Sequence, residues 1–193
     1  TYTAQLTKRV RGETTELGAP VSFELKPLGL ASLPAQDKAE ALAFQEKTAG
    51  LRRSVMGAQR SVQEVQARID HMRVALRDTP DAPAALTDQL DGIEARLRTI
   101  RTALFGDHTV ASRSEPTTPG VAERVGRVTR AWETSSRPTT TQRQNLAVAE
   151  AIFTTEILPP LQQILRTDLP AFEQKLEDLG APWTPGRVPE YKR

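Results

Sequence analysis

The 193-residue sequence contains no cysteine. That excludes disulfides and thiolate metal sites, and it leaves the redox compartment unread. Aromatic residues make up only 5% of the chain, so a core has to be built mainly from Leu, Ile, Val and Ala. No apolar run approaches the roughly 20 residues that a membrane-crossing helix needs, and no basic-then-apolar leader stands at Thr1. Charge of one sign is also lacking. The formal net charge is +2, and segment 34–78 mixes eight Lys/Arg with six Asp/Glu. A phosphate-binding surface needs clustered charge of one sign, so no nucleic-acid partner is expected.

Catalytic signals are scarce as well. His71 and His108 are the two histidines, and neither has a second histidine at i+3 or i+4 to complete a metal pair. Gly57, Gly92 and Gly126 stand singly inside helical patterns, so there is no glycine-rich phosphate loop. No nucleophile elbow is present. Glu173, Glu177 and Asp178 form one acidic cluster, and Asp88 and Asp91 another. Di-iron bundles require Glu-x-x-His motifs, and His71 has no Glu three residues before it. Both clusters read as charges flanking an apolar seam. The expectation is a non-catalytic chain with no metal and no cofactor.

What is present is periodicity. Tyr2, Ala4 and Leu6 alternate with Thr3, Gln5 and Thr7, and Val21, Phe23 and Leu25 alternate with Ser22, Glu24 and Lys26. This is the period of half-buried strands. Arg11-Gly12-Glu13 reads as a turn, with Gly18 and Pro20 shaping the return. Residues 1–28 are therefore expected to form a β-hairpin whose apolar face needs a cover, since a lone hairpin is marginal in water. The strand pattern is already under way at Thr1. The favoured expectation is that the hairpin ends a truncated β-sandwich, and the alternative is a self-contained β-α protein.

From residue 29 to 180 the pattern is that of an antiparallel helical bundle of about four helices, at about 34–78, 83–105, 119–135 and 140–179. Gly29 to Pro34 reads as a linker, with Ser32 and Pro34 opening the first helix. Val55, Ala58, Val62, Val65, Ile69, Met72 and Leu76 form a heptad seam, extended backward through Leu51, a weak position at Thr48, and Phe44. A helix of about 45 residues would be roughly 67 Å long and needs partners along that seam. Thr79-Pro80-Asp81-Ala82-Pro83 stops it. Leu86, Leu90, Ile93, Leu97, Ile100 and Leu104 make the second seam, which ends at Gly106. The short connection predicts antiparallel neighbours.

Residues 107–119 read as an exposed aperiodic loop. Thr118-Pro119 is expected to cap a third helix carrying Val121, Val125, Val128 and Trp132, with Trp132 read as core. Ser135-Ser136-Arg137-Pro138 is a turn. The fourth helix carries Leu146, Ala149, Ile152 and Phe153, then Leu161, Ile164, Leu165, Phe172, Leu176 and Leu179. Pro159-Pro160 predicts a kink or brief break within it, and Asp168-Leu169-Pro170 a second, milder irregularity. Gly180 is the natural stop. Residues 181–193 form a Pro-rich tail expected to be extended and anchored by Trp183. Such a tail straps onto the body or docks onto another domain, and Trp183, Pro185 and Arg187 are its candidate docking residues.

Three stretches carry a family resemblance. The first two are Thr1-Tyr2-Thr3-Ala4-Gln5-Leu6, and Leu17-Gly18 followed by Val21-Ser22-Phe23-Glu24-Leu25-Lys26-Pro27-Leu28. The third is the end of the chain, from Asp168-Leu169-Pro170-Ala171-Phe172 to Leu179-Gly180-Ala181-Pro182-Trp183-Thr184-Pro185-Gly186-Arg187-Val188-Pro189. Together they resemble the C-terminal region of large bacterial BNR-repeat, sortilin-like "glycosyl hydrolase" β-propeller proteins. The resemblance implies a structural or interaction module, the helical extension of an exported propeller protein, hence secreted or periplasmic. It also implies that any ligand site lies in the propeller. Its partners would be other domains of the parent protein, with homodimerisation through the hairpin edge at 2–10 or 20–27. The alternative is a free-standing coiled-coil adaptor for partner helices.

Overall fold

The computed structural model of the chain describes residues 1–26, 28, 38–130, 137–187 and 189. It is mainly helical, with a short antiparallel hairpin at its N-terminus. The expected linker at 29–34, the helix start at Ser32 and Pro34, and Trp132 with the end of the third helix lie outside the described residues.

In the hairpin, β1 (Tyr2–Ala4) pairs with β4 (Val21–Phe23), and β2 (Thr7–Val10) pairs with β3 (Glu13–Glu16). The turn falls at Arg11 and Gly12, at φ 51° and 90°. Two consecutive positive values are what a two-residue type I′ loop requires. The returning strand starts at Glu13, earlier than the apolar alternation suggests, because cross-strand pairing propagates from that tight turn through polar Thr14 and Thr15. Gly18, at φ 89°, lies in the interruption between the two ladders, where the Gln5 amide donates to its carbonyl at 2.9 Å.

Helix α1 (Lys38–Arg77) is 40 residues, about 60 Å at 1.5 Å per residue. Every seam residue from Val55 to Leu76 is buried. The weak position, Thr48, is also buried, and its hydroxyl donates to the Phe44 carbonyl at 2.8 Å. A turn with Asp81 at φ 60° leads to α2 (Ala84–Phe105), whose whole Leu/Ile seam is buried. Arg101 donates to Gln66 and Arg73 to Glu94. The partners descend in α2 as they ascend in α1, so the two helices are antiparallel.

The loop expected at 107–119 contains a one-turn helix, α3 (His108–Ala111). Asp107 nucleates it by accepting from the Thr109 and Val110 amides at 2.9 and 3.2 Å. Helix α4 (Val121–Thr129) is capped by Gly120 and not by Thr118-Pro119. The reason is steric. Gly120 presses on the end of α2, where a Cβ would lie 2.5 Å from the Gly106 nitrogen and 2.6 Å from the Phe105 carbonyl carbon. Helix α4 therefore begins where α2 stops, and its Val121, Val125 and Val128 are buried.

The last helix spans 140–178. A capping box between Thr139 and Gln142 opens α5 (Thr140–Ile152). Of the kink or brief break expected at Pro159-Pro160, the break does not occur. Instead a π-helical turn, Phe153–Ile157, leads into α6 (Leu158–Gln163), and a second, Ile164–Asp168, into α7 (Leu169–Asp178). The second irregularity is as large as the first. The Leu158 amide reaches back five residues to Phe153, and the Leu169 amide to Ile164. Widening the turn ahead of each Leu-Pro keeps the proline ring off the carbonyl it would strike in an α-helix.

The two turns also set the register against α1. Arg143 pairs with Glu40 and Lys47 with Glu150, each an offset of 103, whereas Arg68 pairs with Glu173 at an offset of 105. The last helix therefore runs parallel to α1 and carries two extra residues beside it, one for each π turn. Ile157 and Leu169 join the core as a result, while Leu165 is only half-buried and Leu179 is 40% exposed. Gly180, at φ 68°, ends the helix. The Ala181 amide donates to Leu176 and the Gly180 amide to Glu177, a Schellman arrangement.

Candidate interaction surfaces

The C-terminal tail folds back onto the bundle. The Arg187 guanidinium lies 4.6 Å from the centre of the Trp183 ring. It donates to the Glu173 carbonyl at 3.1 Å and pairs with the Glu177 carboxylate. Glu173 in turn holds Arg68 of α1, with Nη2 at 2.6 Å and Nε at 3.2 Å. Two members of the acidic cluster, Glu173 and Glu177, are thus consumed by arginines from α1 and the tail.

The anchor differs from the expected one. Trp183 is 39% exposed, whereas Thr184 is buried and the Arg187 side chain is 17% exposed. A guanidinium with several donors can be satisfied at a helix surface. The indole has one ring face covered by Arg187 and keeps much of its surface outward. Pro185 is exposed and lines a shallow cleft with Arg68, His71 and Glu173. Trp183, Pro185 and Arg187 are therefore brought together on one loop, with Arg187 as the pin.

The hairpin is the second surface. Tyr2 and Phe23 stack with ring centres 6.0 Å apart, yet both are exposed, as are Leu6, Val10, Leu17, Val21 and Leu25. The apolar alternation foreseen in these strands forms a face that no described residue buries.

Elsewhere several charge pairs tie helices together. Arg73 meets Asp91 at 2.8 Å and Glu94 at 2.6 Å across α1 and α2. The hydrogen bond that Arg73 donates to Asp91, with both carboxylates' charge, raises the Arg73 pKa above its ordinary value. Arg96 reaches Asp168 at 2.7 Å. Among the described residues no three His, Asp or Glu side chains gather closely enough to hold a metal ion. No described helix is long and apolar enough to cross a membrane.

A face of arginines on α1 and α2 was not foreseen. Segment counts average over a helix and conceal which side its charges occupy. Reading the charges at helical spacing would have found it.

No protein-family model, curated protein or solved structure matches the chain.

Proposed function

We propose that this chain is a non-catalytic structural and interaction module. In this reading it is the helical C-terminal extension of an exported β-propeller protein of the BNR-repeat, sortilin-like kind. The observation that carries the reading is the contrast between a bundle that buries its seams internally and a hairpin whose apolar residues are all exposed. Such a face is stable when further strands or a neighbouring domain cover it. The strand and tail motifs that resemble the propeller family point to the same parent. The pinned tail fits a surface against which another domain of that parent rests, with Trp183 and Pro185 outward.

The adaptor alternative requires an apolar seam free for partner helices. It draws no support from α1 and α2, whose seam residues face each other and the last helix.

The test is the polypeptide encoded immediately upstream of Thr1, and the solution mass with and without it. Propeller repeats followed by strands that complete a sandwich are expected upstream. The 193-residue chain should self-associate through its hairpin edges, and the extended chain should be monomeric. An upstream sequence without propeller repeats, or identical association states, would overturn the reading.

A further inference from the structure

We propose that an arginine stripe on α1 and the cleft where it meets the end of α2 form a docking surface for an acidic segment of a partner protein. Arg52, Arg53 and Arg60 project from α1, and Arg98 and Arg101 from α2, and all five are exposed. None forms an ion pair among the described residues; Arg101 only donates to the Gln66 side-chain oxygen at 3.3 Å. Other arginines of the same helices behave differently. Arg68, Arg73 and Arg96 each hold a carboxylate across a helix interface. The other five leave their charge without an ion-pair partner among the described residues, although Arg98 and Arg101 border the same cleft as Asp70 and Asp107.

The arrangement has a definite geometry. From Lys47 to Gln63, α1 contains no acidic residue. Arg53 and Arg60 are two turns apart on one stripe, about 10.5 Å along the axis, with exposed Met56 between them. At Gln63 the stripe enters a cleft of about 650 Å³ between α1 and α2, bordered by Arg98, Arg101 and His108 and lined also by apolar Val62 and Phe105. Guanidinium groups grip carboxylates in bidentate fashion. An acidic chain could place carboxylates on the stripe and an apolar side chain in the cleft.

The cleft argues for a peptide over a polyphosphate or an anionic bilayer. It also contains Asp70 and Asp107, which repel a ligand of unbroken negative charge. A peptide interleaves its carboxylates with amides, and Gln63, Gln66 and Thr102 can bond those. This surface is separate from the hairpin and does not depend on the propeller reading.

The test titrates the full chain with labelled polyglutamate at low salt. Polyglutamine, a single-stranded oligonucleotide and phosphatidylserine-containing vesicles serve as comparison probes. Saturable polyglutamate binding that weakens with added salt is expected. It should fall roughly tenfold in the double variant Arg60→Glu/Arg101→Glu, with unchanged helix content, and remain unaltered in Arg166→Glu, an exposed arginine on the last helix. Should the charge-reversed protein fold poorly, Arg60→Gln/Arg101→Gln should show a smaller loss of the same kind. The proposal is overturned by no polyglutamate binding, by equal losses in Arg166→Glu, or by tighter binding of the oligonucleotide or the vesicles.

Discussion

The hairpin and the bundle follow the same rule of apolar periodicity and meet opposite fates. In α1 and α2 the seam residues Val55 to Leu76 and Leu86 to Leu104 are buried, most of them completely. In the hairpin Phe23, its best-covered large apolar residue, is still 44% exposed. Period tells which face of an element is apolar and nothing about what covers it. Two helices joined by a tight turn cover each other. A two-stranded ladder has a second layer only if another segment supplies one.

The sharpest way to break this contrast is to truncate one residue from each region. Leu97 is fully buried among α1, α2 and the last helix. Leu97→Ala removes its transfer free energy and leaves a cavity, and should cost about 3–5 kcal/mol in urea unfolding followed by circular dichroism. Phe23→Ala loses ring stacking with Tyr2 but little burial, and should change bundle stability by less than about 0.5 kcal/mol. Comparable losses would mean that hairpin and bundle fold as one unit, and the contrast would fail.

A second pair of variants asks how tightly the bundle itself is joined. Gly120→Ala drives a Cβ into the backbone of Gly106, Phe105 and Leu104, none of which is a flexible side chain. A loss of about 2–3 kcal/mol is expected as α4 shifts away from the end of α2. Gly92→Ala is the same chemical change in the exposed middle of α2, with nothing within 4 Å. It should stabilise by about 0.5–1 kcal/mol through helix propensity alone. Equal unfolding midpoints for the two proteins would show that the junction of α2 and α4 is looser than described.

The boundary between what could and could not be read from sequence follows the reach of each interaction. The seams of α1 and α2 were legible because each repeats its own period many times over. The π turns were not, because the proline rule concerns one helix, whereas the two extra residues are fixed by a parallel partner a hundred positions away. A trace remains in the burial series Ala149, Phe153, Ile157, Leu161, Ile164 and Leu169, which steps by 4, 4, 4, 3 and 5 where a heptad would alternate 3 and 4. The candidate docking residues were legible as a group, but their roles were not. Trp183 attracts attention by size, while Arg187 acts through Glu173 and Glu177, ten and more positions away.

The tail lies between the two regions in character, and Arg187→Ala decides which it joins. Arg187 and Glu177 are each less than a third exposed, so their pair is screened less than a surface bridge but is not fully desolvated. Losing it, the bond to the Glu173 carbonyl and the stacking on Trp183 should cost about 1–2 kcal/mol. Most of that loss should be local, since the tail opens without disturbing the Schellman turn at Gly180. In a Trp132→Phe background, Trp183 emission should shift to the red and become more accessible to a soluble quencher, with helix content unchanged. Should emission and quenching stay as they were, Thr184 and the backbone hold the tail without the guanidinium, and the strap belongs to the bundle core. Should the tail release freely, its Trp183 surface resembles the hairpin face, a region whose order depends on what it rests against.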